Sequence, residues 1–370
     1  MKKIAFIGIK GLPSKGGAER VVEAIALRLC DQYDVSVYCS SKYTPAKFRM
    51  HRIKLLRVPT ISGKYLHTPS LVILSSLHAL FFGNYDLIHL HNAEISFVLP
   101  LLRMRYKIIA TSHGPAYARA KWGLLAKVFM RGMDALFTLF GTSVTSVSHT
   151  MALYYSKRFK KRVEYIPNGV EINPNIDISA AMQLLKANNV NPKEYVLFVA
   201  GRIEPTKGCH LLLEAFREID CKIPLLVVGD LDQVLSYKQN LLELADERTK
   251  FIPFISSKEV LFGLVKETRL FVFPSTVEAM SMMLLEAASL GVPILASDIP
   301  ENTKVLDKYA LFFKSGDVGD LRDKLLWALD NPEKMKQLAE GAKSWVLKNY
   351  SWDRIVKRYE RLYEKVLRLS

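Results

Sequence analysis

Short apolar runs, each stopped by glycine, proline or a polar cluster, recur along the whole chain. Ile4–Ile9, Tyr195–Ala200 (YVLFVA), Leu225–Gly229 and Leu270–Phe273 are the clearest. They are continuous rather than alternating, the pattern of parallel strands buried on both faces. Asp34–Cys39, Ile53–Val58, Asp86–His91, Lys107–Thr111, Val144–Ser148 and Val292–Ala296 read as further strands. Helical spacing lies between them. In Ala18–Cys30, the residues Val21, Val22, Ile25, Ala26 and Leu29 share one face. Leu71–Phe82 carries no charge and reads as a buried helix; Ile178–Ala187, Leu211–Phe216, Met282–Leu290 and Trp352–Leu367 are helices too. This alternation predicts an α/β chain.

A chain of 370 residues is long enough for two domains. Pro167-Asn168-Gly169 makes a turn and Asn173-Pro174 extends a linker, so the crossing is expected near residue 170. Each half opens with a strand that feeds a glycine-containing loop, Gly11–Gly17 (GLPSKGG) and Gly201–Gly208 (GRIEPTKG). The glycine spacing of the first loop does not fit a dinucleotide-binding GxGxxG.

The densest chemistry lies in Phe271–Glu301. Leu270–Phe273 is stopped by Pro274; Ser281 N-caps Met282–Leu290, and Gly291 and Pro293 end it. The loop Ser275–Ser281 therefore falls at the carboxyl edge of a sheet, where open α/β folds bind ligands. Glu286 sits in an apolar helix that contains no Lys or Arg, and a buried carboxylate needs donors. The vicinal hydroxyls of a ribose would supply them, and so would a structural bridge to another element. Glu278, eight residues earlier, lies near the helix N-terminus, where N–H groups favour anions such as a diphosphate. In the other loop, Arg202 and Lys207 stand at a strand end ahead of a helix, and this pair also suits a diphosphate.

The segment Glu278–Gly291 (EAMSMMLLEAASLG), followed by VPILASDIPEN, resembles the EX7E signature of glycosyltransferase family 4. These are retaining, nucleotide-sugar-dependent enzymes of GT-B architecture, with two Rossmann-like doubly wound domains facing a central cleft. Ala279 stands where the family often has glycine. The resemblance implies that Glu286 binds the donor ribose and that Glu278 faces the transferred sugar. Met280, Ser281 and Met282 would contact the donor at the helix N-terminus. Arg202 and Lys207 would hold the pyrophosphate, and Phe254 and Ile255 of FIPFIS would flank the base. His113, in a T-x-H match after a strand, would contact the donor sugar, and Gly16 and Gly17 would leave backbone room for substrate. The expected division is an acceptor-side domain over residues 1–170, a nucleotide-sugar domain over 171–352, and a final helix, 353–370, packing back on the first. No metal or other cofactor is implied. His89 and His91 are read as core or surface histidines.

Composition narrows the partners. Hydrophobic content of 49% and charged content of 24% are those of a folded globular protein. Cys30, Cys39, Cys209 and Cys221 show no CxxC spacing, which suits free thiols in a reducing cytoplasm. The apolar start is too short for a signal peptide, and the longest apolar tract, Leu71–Phe82, is too short to span a bilayer, which takes ~20 residues. Of the net charge of +16, residues 1–170 hold 25 Lys/Arg against 8 Asp/Glu. Such a field implies an anionic partner: a membrane surface, an acidic glycan or nucleic acid. Nucleic acid is set aside, because no motif of that class is present and the aromatics do not interleave with the basic residues. Five basic residues crowd Lys157–Arg162. In Tyr117–Arg131, Trp122, Leu125 and Phe129 share a helical face opposite Lys127 and Arg131. That pattern fits a helix lying on a membrane and equally one packed on the domain core.

The expectation is a metal-independent hexosyltransferase using a nucleotide-diphosphate sugar and a lipid-linked or polysaccharide acceptor. It would be cytoplasmic, attached peripherally to the inner face of the membrane. Two rivals are a glycosidase with Glu278 and Glu286 as its carboxylates and a basic protein that binds nucleic acid or glycan without catalysis. Asp230-Leu231-Asp232 is formally a DxD metal motif, but three residues specify little, and a helix start is the plainer reading.

Overall fold

The computed structural model describes every residue except Lys15, Lys64, Tyr65, residues 115–123 and Ser370, and the side chains of residues 124–127. The chain forms two compact units: Met1–Gly169 together with Trp352–Ser370, and Val170–Ser351.

Unit 1 is built on a seven-stranded sheet. Its strands are β1 (Lys3–Ile7), β2 (Asp34–Ser40), β3 (Ile53–Val58), β4 (Leu87–His91), β5 (Lys107–Ser112), β6 (Ser143–Ser146) and β7 (Val163–Tyr165). Their order is β3-β2-β1-β4-β5-β6-β7, and every ladder between them is parallel. The helices are α1 (Gly17–Leu29), α2 (His67–Phe82), α3 (Leu99–Arg103), α4 (Leu124–Phe140), α5 (His149–Phe159) and α14 (Trp352–Arg368), the last numbered in chain order. Strand continuity explains the core: Ile4, Ala5, Phe6 and Ile7 of β1 are all buried, as both faces of a parallel sheet require.

Unit 2 repeats the plan with β8 (Val196–Arg202), β9 (Leu225–Asp230), β10 (Thr249–Ile252), β11 (Leu270–Phe273), β12 (Ile294–Ser297) and β13 (Leu311–Phe313), in the order β10-β9-β8-β11-β12-β13. Around them lie α6 (Ile178–Ala187), α7 (Cys209–Arg217), α8 (Leu235–Leu244), α9 (Lys258–Lys266), α10 (Met282–Leu290), α11 (Pro300–Leu306), α12 (Val318–Asp330) and α13 (Pro332–Tyr350). Phe198 on β8 is enclosed in this core. Truncating it to alanine costs about 3–5 kcal/mol, combining lost transfer energy with a cavity.

In both sheets the order reverses beside the first strand, and the crevice there, outside the carboxyl ends, is the ligand position of doubly wound folds.

Three local expectations need correction. The strand expected over Val144–Ser148 stops at Ser146, because Ser148 caps α5, its hydroxyl accepting from the Met151 N–H at 3.1 Å. Leu71–Phe82 is helical but not buried: only one side of α2 faces the core. Asp230-Leu231-Asp232 does not open a helix. Asp230 ends β9, its carboxylate accepts from the Asp232 N–H at 2.9 Å and from Gln233, and α8 starts only at Leu235. The first part of the Tyr117–Arg131 segment, with Trp122, lies outside the described residues, as do the side chains of Leu125 and Lys127; α4 covers the rest, with Phe129 exposed.

Candidate active site

At the carboxyl edge of unit 2, the loops after β8 and β11 are latched together. Thr276 N–H donates to the Thr206 carbonyl at 2.9 Å. Gly208 has φ of 70° and lies so close to the β11 loop that a Cβ would run into the Pro274 carbonyl. Only glycine meets both demands. The latch sets Lys207 Nζ 2.6 Å from Glu278 Oε1, a pair largely shielded from solvent. Two of the expected residues thus meet directly across 71 positions of sequence.

Behind them α10 begins where its sequence requires. The Ser281 hydroxyl accepts from the Leu284 N–H at 3.2 Å, and Gly291 closes the helix with φ of 72°. Capping satisfies one N–H of the first turn, leaving others for an anion. Met280 and Met282 are buried beside the cap, and Glu286, one turn further in, is only 6% exposed. Arg202 ends β8 exposed, paired through its backbone with β9, and its side chain makes no hydrogen bond or ion pair among the described residues. The exposed Phe254, just past β10, lies 3.8 Å from the Cβ position of Gly201, so an aromatic face stands at the same edge; Ile255 follows it. Asp232 is engaged with Lys238 at 2.8 Å. Cys209, at the start of α7, is fully buried, and burial pushes its thiol up, so it packs rather than reacts.

The same edge of unit 1 is made differently. Gly16 caps α1 without a side-chain bond, and around Gly17 nothing lies within 4 Å of a Cβ position, so backbone is open there. Gly8, with φ of 110°, lets β1 approach the His91 carbonyl more closely than any side chain would permit. Beyond β5, His113 packs on His91, with Nε2 2.8 Å from His91 Nδ1 and ring centroids 5.1 Å apart. His91 packs in turn, tilted, against His89, whose nitrogens lie 2.6 Å from the Tyr363 hydroxyl of α14 and 2.6 Å from Thr111 Oγ1. Burial pushes His113 down to about 4 and holds His89 and His91 well below the usual imidazole range, neighbouring rings adding to the effect. All three are neutral at pH 7.

Neutrality fixes the direction of the bond. His91 Nε2 is buried and has no partner among the described residues. An orphaned N–H is the rarer defect, so the His91 proton belongs on Nδ1, from which it donates to His113 Nε2. His113 then carries its own proton on Nδ1. His91 is a core histidine, as expected, and one signal could have shown its contact with His113. His89 and His91 alternate along β4, His91 pairs with Thr111 on β5, and His113 is two residues on, so the rings share one face. Sequence reasoning also passed over Arg20, one turn into α1, whose burial lowers its guanidinium to about 10 despite the nearby Glu23.

Comparison with known proteins fits this geometry. Residues 15–173 match the family described as Glycosyltransferase Family 4, and residues 183–345 match Glycosyl transferases group 1. A UDP-Gal:alpha-D-GlcNAc-diphosphoundecaprenol alpha-1,3-galactosyltransferase of Escherichia coli is 23% identical, covering 81% of each chain. Among solved structures, sucrose-phosphate synthase from Thermosynechococcus elongatus superposes with a TM-score of 0.84 at 19% identity over the full length of both chains. Anabaena HepE in complex with UDP-glucose reaches 0.80 at 19% identity, covering 99% of this chain and 100% of its own. Two Rossmann-like parallel-sheet units of GT-B type, with both family matches together spanning most of the sequence, make this chain a member of glycosyltransferase family 4.

Proposed function

We propose that this glycosyltransferase moves a hexose, with retention of configuration and without a metal ion, from a nucleoside-diphosphate sugar to a lipid-linked or polysaccharide acceptor. Unit 2 would be the donor side and unit 1 the acceptor side. The observation that carries the reading is the Lys207–Glu278 pair, held at 2.6 Å by latched loops next to the N-terminus of α10. A diphosphate at that helix end competes with Glu278 for the ammonium. Donor binding therefore frees the carboxylate to face the sugar while Lys207, Arg202 and the helix N–H groups take the charge that develops on the leaving group. Such preorganised electrostatics need no metal to act. Glu286 receives the ribose hydroxyls, Phe254 and Ile255 flank the base, and Met280, Ser281 and Met282 line the phosphate end. His113 presents its Nδ1 proton to the sugar, with His91 orienting it.

The Escherichia coli relative named for a UDP-Gal donor and a diphosphoundecaprenol acceptor, and the UDP-glucose complex of HepE, support this class of substrates. No helix among the described residues is long and apolar enough to cross a membrane. A lipid-linked acceptor would therefore be met by peripheral attachment at the inner face of the membrane. A two-carboxylate hydrolase would leave Lys207 and Arg202 without a task. Calorimetry with a panel of nucleotide sugars, followed by release of nucleoside diphosphate with and without EDTA, tests the reading. Binding of one donor class and activity indifferent to EDTA are expected. Failure to bind any nucleotide diphosphate overturns it, and loss of activity with EDTA overturns its metal-free form.

A further inference from the structure

Helix α2 lacks the polar outer face of a helix that meets water: Leu71, Val72 and Ala79 pack into the core, and its outward side is apolar as well. Between residues 73 and 82 its exposed positions are Ile73, Leu74, Leu77, His78, Phe81 and Phe82, five of the six apolar. Its core side, by contrast, takes in Ser75 and Ser76, whose hydroxyls are buried with no hydrogen-bond partner among the described residues. A helix on a soluble surface puts its apolar stripe inward and its polar stripe outward. Here the stripe meeting the surroundings runs from Leu66, just before the helix, to Phe82, without one charged residue.

The patch continues past the helix end. The Tyr106 hydroxyl donates to the Ala79 carbonyl at 2.5 Å, and Arg105 donates to that of Leu80, which pins the end of α3 beside the end of α2. Met104 directly precedes these two anchoring residues, as Phe81 and Phe82 directly follow their acceptors. The three are 83%, 73% and 80% exposed and are flanked by Arg103 and Arg105. An exposed apolar patch of this kind marks an interaction surface.

Charge selects the occupant. Unit 1 holds 31 Lys/Arg against 11 Asp/Glu, a formal +20, while unit 2 holds 21 against 25. Two copies of unit 1 meeting through this face would bring like fields together, whereas an anionic bilayer offers both an apolar phase and the opposite charge. We propose that the outer face of α2, with Met104, lies in the interface of an anionic membrane. Phe81, Phe82 and Met104 enter the acyl boundary and Arg103 and Arg105 meet the headgroups. This rests on the membrane-attached reading above for its purpose, but not for its evidence.

The full-length chain would be sedimented with vesicles of phosphatidylcholine alone and with an equal part of phosphatidylglycerol. Binding to the anionic vesicles only, weakening with salt, is expected. F81D/F82D, at positions already exposed, should cut partitioning at least about tenfold. In a second measurement, F82W should show a blue-shifted emission on anionic vesicles and quenching by brominated lipid. Unchanged sedimentation of F81D/F82D, or an unshifted F82W spectrum, overturns the proposal. So does a wild-type dimer in light scattering that F81D/F82D breaks, since the face would then belong to a second copy. Nucleotide-diphosphate binding, measured on the same variants, should be unchanged. Vesicle binding without nucleotide binding would refute the transferase mechanism and leave this surface standing, and the converse result would do the reverse.

Discussion

At the carboxyl edge of unit 1 the polar groups are neutral imidazoles packed ring on ring, with His91 hydrogen-bonded to His113. At the corresponding edge of unit 2 they are full charges, an ammonium on a carboxylate and a guanidinium left open, set against a helix end. The sheets have the same winding, so the difference is not imposed by topology. On the function proposed above, it follows from what each edge would meet. A leaving diphosphate is best stabilised by fixed positive charge, whereas a sugar hydroxyl is best held by a neutral group that neither competes for water nor pulls the anion out of place. One fold is therefore furnished twice, for charge and for hydrogen bonding.

The sharpest way to break the contrast is to remove charge from unit 2. Lys207→Ala should lower kcat by roughly a hundredfold, about 3 kcal/mol, as well as raise KM. A change confined to KM would make the pair a binding clamp with no special hold on the transition state. Glu286→Gln keeps the size but weakens the acceptor for the ribose, and nucleotide-diphosphate affinity in calorimetry should fall by ~1.5–3 kcal/mol. Unchanged affinity in a folded variant would remove Glu286 from the site.

The histidine edge is tested by pH. An unfolded imidazole takes a proton below about 6.5, while His113 in the fold stays neutral down to about 4. Between those values the unfolded state binds more protons, so stability is complete above pH 6.5 and falls as the pH drops. His113 alone should cost about 1.5 kcal/mol between pH 6.5 and 5, and His89 and His91 add in the same direction. Urea unfolding of His113→Gln should show a shallower acid slope, and an unaltered slope would mean that the ring titrates as in water. Imidazole nitrogen shifts of the folded wild-type protein should place the His113 proton on Nδ1; a proton on Nε2 would reverse the hydrogen bond from His91. The smallest effect belongs to Phe254→Ala, which should weaken nucleotide binding by ~1 kcal/mol if the ring stacks on the base.

Much of this was legible before any coordinates. Parallel strands announce themselves as unbroken apolar runs, and Ser281 and Gly291 bracket α10 where capping chemistry puts them. Glu278 and Lys207 could each be read as candidates, but their contact could not, since it depends on a latch between loops far apart in sequence. His91 is buried, as a strand histidine is expected to be, and its contact with His113 appears only once β4 and β5 are in register. The orientation of α2 was missed for a different reason. An apolar helix is assumed to be buried, and no periodicity argument can tell an inward stripe from an outward one when both sides lack charge.

Tyr363, which fills the far side of the histidine face, belongs to a helix made after all of unit 2. Unit 2 is inserted between Gly169 and Trp352, which pack on one another, and spans 182 residues. At ~5–20 residues per second, roughly 10–40 s of synthesis separates the seventh strand of unit 1 from the helix that covers its histidines. The unit begun first is thus finished last. During that interval His89 lacks the Tyr359 and Tyr363 rings that pack on it, while the whole of the inserted unit is being made.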